Sequence, residues 1–218
     1  MNVIVFGATG MVGQGVLREC LLDPDVTTVV AVGRRATGQS DPKLRELVVP
    51  GPGSLAAVEG QLVGFEACFF CLGVSAAGLS EAEYTRLTYD LTLGVARTLA
   101  RLDPTMTFIY VSGAGTDSTE HGRIMWARVK GRTENALLAL PFRAYMFRPG
   151  IIQPLHGIRS RTPLYRAGYA VAAPLLPVLR RLFPRQLTTT EQVGRAMLAV
   201  AKHGFPRRVL EQRDITAF

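Results

Sequence analysis

Gly7, Gly10 and Gly13 are spaced as a glycine turn directly after the apolar run from Val3 to Phe6. A buried strand that breaks into such a turn and then into an amphipathic helix leaves backbone N–H groups unpaired at the helix start. That is where the pyrophosphate of a dinucleotide binds. Gly7 permits the tight turn, Gly10 lets the backbone approach the phosphates, and Gly13 lets helix and strand pack closely. Thr9, Met11 and Val12 lie between these glycines and are expected to line the same site. A glycine turn that holds no ligand is the competing account. The context favours the dinucleotide: Val12, Val16, Leu17 and Leu21 recur at helical spacing, and a second apolar strand, Val29 to Val32, follows at βαβ distance.

The second candidate cluster follows that strand, where the chain reads Val32, Gly33, Arg34, Arg35. NAD binders commonly place a carboxylate here to accept hydrogen bonds from the ribose hydroxyls. Two guanidinium groups instead suit a ribose 2′-phosphate, which they can hold by paired charge-assisted hydrogen bonds, so NADP(H) is favoured over NAD(H). Two solvated arginines in an exposed loop are the alternative. Cys68 and Cys71 form a CxxC inside the apolar run Ala67 to Leu72. Residues three apart on a strand point to opposite faces, so this pair is read as structural, with no disulfide and no metal site. Gly73 and Ser75, just beyond that run, are placed where a loop passes the ribose and pyrophosphate, with Leu72 beside them; ordinary turn chemistry competes.

The elements that must position these residues alternate. After the first two strands, Glu46 to Val49 reads as a strand, Ser54 to Gln61 as a short helix and Ala67 to Leu72 as a strand. Ser80 with Glu83 fits a capping box opening a long helix whose apolar stripe is Leu87, Leu91, Val95, Leu99 and Leu102. Thr107 to Val111 reads as a strand, Ile124 to Leu138 as a helix, and Ala144 to Phe147 as a strand stopped by Pro149 and Gly150. This order predicts an α/β fold, a Rossmann-type doubly wound parallel sheet with ligands at the carboxyl ends of the strands. Beyond Gly150 the alternation fails. Thr189 or Thr190 caps a helix with Val193, Met197 and Val200 at core spacing, ending at Gly204, and Arg208 to Glu211 reads as a last short strand. Residues 1–218 are therefore taken as one NAD(P)-binding domain in which 151–218 form a small substrate-side appendage.

Composition bounds the remaining classes. A chain of 218 residues with 48% hydrophobic content can bury one substantial core. The first strand starts at the second or third residue and leaves no room for a leader, so a cytoplasmic location is expected. The net charge of +8 comes from the C-terminal part: residues 1–150 carry 14 basic and 14 acidic side chains, whereas 151–218 carry 11 and 3. No nucleic-acid recognition motif accompanies that charge, and no nucleic acid is expected as a partner. Within it, Ala167 to Leu179 is uncharged and bracketed by Arg166, Arg180 and Arg181. Thirteen residues with two prolines are too short to cross a bilayer. Two readings fit: a wall of a small-molecule substrate pocket or a homo-oligomer contact, and a weak contact with an anionic membrane surface.

GATGMVG (7–13), FCLG (70–73), YVSGAG (110–115), VKG (129–131) and FRPG (147–150) together resemble the short-chain dehydrogenase/reductases. More narrowly, the chain is similar to atypical members around the Tat-interacting oxidoreductase-like group, relatives of the NmrA-like and nucleoside-sugar epimerase branches. The resemblance implies that Ser112 positions a substrate carbonyl, that Lys130 holds the nicotinamide ribose, and that Pro149 and Gly150 meet the nicotinamide carboxamide. It also calls for a Tyr four residues before the Lys, and there the chain has Trp126. An indole N–H donates a hydrogen bond but is no practical acid at neutral pH. Three readings stay open: another group gives the proton (Tyr110, His121 and Lys130 are nearby in sequence), no acid is needed, or the protein binds cofactor without turnover. The activity implied is an NADP(H)-dependent oxidoreductase acting on a small carbonyl or hydroxyl compound. The alternative is a non-catalytic NADP(H)-binding regulatory or redox-sensing protein.

Overall fold

Val3 to Phe6 are all fully buried, which a strand can satisfy only when both faces of its sheet are covered. The computed structural model, which describes residues 1–51, 55–158 and 187–218, provides that cover. In chain order the main elements are β1 (Asn2–Phe6), α1 (Met11–Leu22), β2 (Thr28–Gly33), β3 (Leu44–Val48), β4 (Ala67–Phe70), α2 (Glu81–Thr85), a π-helical segment (Arg86–Asp90) and α3 (Leu91–Leu102). They continue with β5 (Thr107–Val111), α4 (Met125–Leu138), β6 (Arg143–Arg148), β7 (Ile151–Gln153), β8 (Leu187–Thr189), α5 (Thr190–His203), β9 (Val209–Glu211) and α6 (Gln212–Ile215).

Seven strands pair in parallel in the order β3-β2-β1-β4-β5-β6-β9, and β7 pairs with β8 in a separate two-stranded sheet. The chain runs outward from β1 to β3 and then returns to the other side of β1 at β4. The crevice between β1 and β4 is therefore the topological switch point, where ligands of such sheets bind. Two apolar clusters cover the two faces. One joins Val3, Val5, Val16, Leu17 and Phe69 to Val193, Met197 and Leu210. The other joins Ile4, Phe6, Phe70, Phe108, Val95 and Leu99.

The expected elements are present with shifted ends. The third strand is Leu44–Val48, and the fourth stops at Phe70, which puts Cys71 and Leu72 in the crevice loop. The helix expected over 54–61 reduces, in its described part, to a single 3₁₀ turn, Glu59–Gln61; Ser54 lies outside the described residues. Ser80 and Glu83 make the capping box. The long helix, however, passes through the π segment, which advances the phase of its faces. Within it Thr88 points inward, on the side of Tyr84 in α2, while Leu87, expected in the apolar stripe, is 38% exposed.

The C-terminal part is divided. β9 is the edge strand beside β6, and α5 packs on α1 so tightly that a Cβ on Gly15 would lie 2.5 Å from the Thr190 Cβ. These residues complete the sheet and one of its covers. The apolar stretch from Leu164 to Phe183, with Arg180 and Arg181, lies outside the described residues.

Candidate functional site

At the carboxyl end of β1, Gly7 has φ +81°, and a Cβ there would come within 2.9 Å of the Cys71 and Leu72 backbone. Only glycine lets the turn cross the end of β4 so closely. A Cβ on Gly13 would lie 2.0 Å from the Gly7 carbonyl oxygen, so Gly13 serves the packing of helix on turn. Gly10 is the N-cap of α1. It offers no side chain to the first N–H groups, and no acidic residue stands in the first turn. That arrangement fits a phosphate, which the free donors and the positive end of the helix both favour.

A groove follows the switch point. Its first part is lined by Gly7, Thr9, Gly33, Arg34, Arg35 and Leu72. Both arginines are exposed, and neither makes an ion pair among the described residues. Guanidinium groups left free at the end of β2 suit an anion beside an adenosine ribose. The groove continues past Thr9, Gly10, Met11, Val12, Gly73 and Ser75 to Ser112 and Lys130, enclosing about 450 Å³. A pocket beyond is walled by Val74, Ala76, Ala77, Tyr84 and Trp126 and shares Lys130 with it. The groove thus joins the free N–H groups at the α1 N-terminus to Lys130, a lining that an extended dinucleotide would fit.

Ser112 ends β5, is 5% exposed, and donates its Oγ proton to the Phe147 carbonyl at 3.1 Å. Lys130 reaches across from α4, and its Nζ donates to the Ser112 carbonyl and, at 3.5 Å, to the Val111 carbonyl. Burial pulls the Lys130 pKa down to about 8, against the opposing charge of Glu134. Glu134 itself is fully buried and held by Arg148, whose Nε donates to it at 3.0 Å and whose Nη1 reaches Glu211 at 3.1 Å. Arg148 is therefore a clamp between α4 and β6.

Trp126 shares the Lys130 face of α4 as its spacing requires, and its ring passes 3.4 Å from where a Cβ on Gly115 would be. Gly115 has φ +85°, so the loop is built around the indole. Of the alternative proton donors, Tyr110 is 1% exposed in the core, and burial first, then the nearby Tyr84 and Glu134, raises its pKa. His121 is exposed and lines neither part of the groove. Lys130 alone of the three lines it. Pro149 and Gly150 are placed apart from the groove lining: the Pro149 carbonyl accepts from Ala114 N–H at 2.9 Å, and Gly150 N–H donates to Gln212 at 2.6 Å. These two hydrogen bonds hold the end of β6 to the 113–115 loop and to α6.

Two lining residues carried no sequence signal of their own. Cys71, read as a buried structural cysteine, borders the groove, with its thiol pushed up to about 12 by burial and hence inert. Tyr84 enters from α2. The capping box fixes the phase of that helix, and Tyr84 with Thr88 one turn on gives its buried face.

No family model matches the chain. The protein fmp52, mitochondrial, of Emericella nidulans is 32% identical over 159 residues, 69% of this chain and 66% of that relative. FMP52, mitochondrial, of Eremothecium gossypii is 30% identical over 155 residues, 70% of this chain and again 66% of the relative. The match thus spans just under two thirds of these relatives' length. Their names correct the cytoplasmic expectation: they are called mitochondrial proteins, and an early first strand says nothing of compartment. Among solved structures, WbmF of Bordetella bronchiseptica in complex with NAD⁺ superposes with a TM-score of 0.71 at 16% identity, over 99% of this chain and 76% of that one. MoeE5 in complex with UDP-glucose and NAD gives 0.68 at 18%, over 96% and 74%. A short chain dehydrogenase family protein of Francisella tularensis gives 0.69 at 15%, over 96% and 95%. The fold is accordingly the Rossmann-like α/β fold of these proteins.

Proposed function

We propose that this chain is an NADP(H)-dependent oxidoreductase of the short-chain dehydrogenase/reductase type, on the atypical side near the Tat-interacting oxidoreductase-like group, acting on a small carbonyl or hydroxyl compound. The observation that carries the reading is one groove at the β1/β4 switch point that joins the free Arg34 and Arg35 to Ser112 and Lys130. A bound dinucleotide supplies hydride transfer there. Gly7 to Val12 receive the pyrophosphate on backbone N–H groups, and Arg34 and Arg35 receive the 2′-phosphate. The Lys130 ammonium meets the ribose hydroxyls at the nicotinamide end. Ser112 turns its hydroxyl from Phe147 toward a substrate oxygen, and the Trp126 and Tyr84 rings, with Val74 to Ala77, shape the space for the substrate and exclude water.

Structures with NAD or NADH bound to the neighbours support the cofactor class, and the arginines of this chain support the phosphorylated form. Trp126 is the sequence's one tryptophan, so energy transfer from it to reduced nicotinamide reports binding. NADPH should bind more tightly than NADH, and Arg34→Ala with Arg35→Ala should remove about 1 to 3 kcal/mol of the difference. Equal affinities would refute the NADP(H) preference, and failure of both to bind would refute the reading.

A second reading rests on Trp126 itself. The indole occupies the place of the proton-giving phenol, as in a protein that binds NADP(H) to report it rather than to turn it over. Tight NADPH binding with no reduction of aldehydes or ketones would favour it.

A further inference from the structure

Lys130, which lines both the dinucleotide groove and the pocket beyond it, makes no ion pair among the described residues. Among the described residues Lys130 Nζ donates to the neutral carbonyls of Ser112 and Val111 and stands 5.7 Å from the centroid of the Tyr110 ring. Glu134, one helical turn further along the same face of α4, is the carboxylate placed to pair with it, but Arg148 has taken both of its oxygens. The chain's other two lysines are differently held. Lys43 donates to the carbonyls of Leu21 and Asp23 at 3.1 and 2.7 Å, away from the groove. Lys202 is clamped by Asp23 and Asp25; burial pulls its pKa down, but those hydrogen bonds and charges outweigh it and raise the pKa. Around Lys130 the pocket presents two aromatic rings, Trp126 and Tyr84, and the small side chains of Ser75, Ala76 and Ala77. A desolvated amine held by neutral groups beside an aromatic wall is the setting in which lysine acts as a nucleophile toward carbonyl carbon.

We propose that Lys130 is a covalent capture site for aldehydes with a flat apolar substituent, an activity that needs no dinucleotide. The neutral Nζ lone pair forms a C–N bond to the carbonyl carbon, and the carbonyl π pair moves to oxygen, which takes a proton as the nitrogen loses one. The resulting hydroxyl then takes a second proton and leaves as water, and the nitrogen lone pair closes the C=N bond. The nitrogen sheds its remaining proton, so one imine and one water form without change of oxidation state. Solvent water at the pocket supplies and takes up these protons. The Trp126 ring stacks on the flat substituent. Burial, by bringing the amine down to about 8, leaves about half of it neutral at pH 8, where an ordinary lysine is almost wholly charged.

The test uses the full chain, benzaldehyde and cyanoborohydride, which fixes the imine as a stable amine, followed by peptide mapping. At pH 8, Lys130 should be modified at least about tenfold faster than Lys43 and Lys202, with a rate that climbs to a plateau through a midpoint near pH 8. Benzaldehyde should be captured faster than acetaldehyde, and Trp126→Ala should narrow that gap. Lys130→Arg should lose the fast phase, and mapping of the native chain decides the matter if that variant folds poorly. Modification of Lys43 or Lys202 as fast as Lys130, or a Lys130 midpoint above about 10, would overturn the proposal. Equal rates for the two aldehydes would overturn the aromatic specificity. NADPH binding is measured separately by Trp126 energy transfer, so failure of the oxidoreductase reading is distinguishable from failure of this one.

Discussion

At the residue scale the candidate site turns on one substitution and one desolvated charge. Trp126→Tyr would put a phenol one turn from Lys130, where the ammonium favours the phenolate and proton transfer becomes feasible near neutral pH. Reduction of aldehydes and ketones by NADPH should rise in the variant by about 10² to 10⁴, the usual worth of a placed general acid. A slower variant would show that the indole shapes a site that uses another acid. Lys130 also has a cost in stability. Its folded pKa of about 8 lies below that of an exposed lysine, so between those values the unfolded chain binds more protons and this group's contribution rises with pH. Lys130→Met should therefore stabilise the fold at pH 7, by on the order of 2 to 3 kcal/mol. The gap between variant and native protein should close as pH climbs from 8 toward 10.5, which urea titration at several pH values would follow. A constant gap would mean that the burial of Lys130 is not what costs stability.

At the scale of elements, the pieces that hold these residues were unevenly legible. Glycine spacing after an all-apolar strand located the β1–α1 turn because its constraints are local: a positive φ at Gly7 and a 2.0 Å clash at Gly13. The Ser80 and Glu83 capping box was legible for the same reason, and of the two N-caps offered for α5 the structure uses Thr189, which accepts from Gln192 N–H within one turn. The π segment was not. A run of helix-forming residues does not announce an extra residue per turn, and the stripe drawn through Leu87 failed where the phase moved. Thr189→Ala removes an acceptor 3.0 Å from Gln192 N–H and should cost about 1 kcal/mol in denaturant unfolding. Gly131→Ala should do more, because its Cβ would lie 1.7 Å from the Asp117 carbonyl oxygen and α4 would have to back away from the 113–122 loop. The displacement carries Lys130 and Trp126 with it. A loss of about 1 to 3 kcal/mol together with weaker NADPH binding is expected, and unchanged binding would show that α4 does not place the site.

Over the whole molecule, the order of strands was readable because alternation of strand and helix permits few topologies, and the crevice between β1 and β4 follows from that order. What the sequence could not show is how the C-terminal part is shared out. Val193, Met197 and Val200 give the buried face of α5 but not the surface it covers, since a periodic face has no address. The structure supplies the address through two glycines. Gly15 on α1 meets Thr190, and a Cβ on Gly194 would lie 2.7 Å from the Glu19 Cγ and 3.2 Å from the Gly15 carbonyl oxygen. This close approach seats α5 on the β1–α1 unit that carries the glycine turn. It follows that a side chain at Gly15, remote from the groove, should act on the site through the fold. Gly15→Val forces α1 and α5 apart where backbone and Thr190 leave no room, which should destabilise the protein by about 1 to 3 kcal/mol or more. Because α1 also carries the proposed pyrophosphate site, NADPH affinity should fall with stability, whereas Gly38→Val, a substitution at an exposed positive-φ loop glycine with nothing within 4 Å, should cost stability through backbone strain alone. Unfolding curves and NADPH titrations of the two variants compare the effects directly. If Gly15→Val lost stability and kept full NADPH affinity, the α1–α5 contact would be a cover for the sheet and no support for the site.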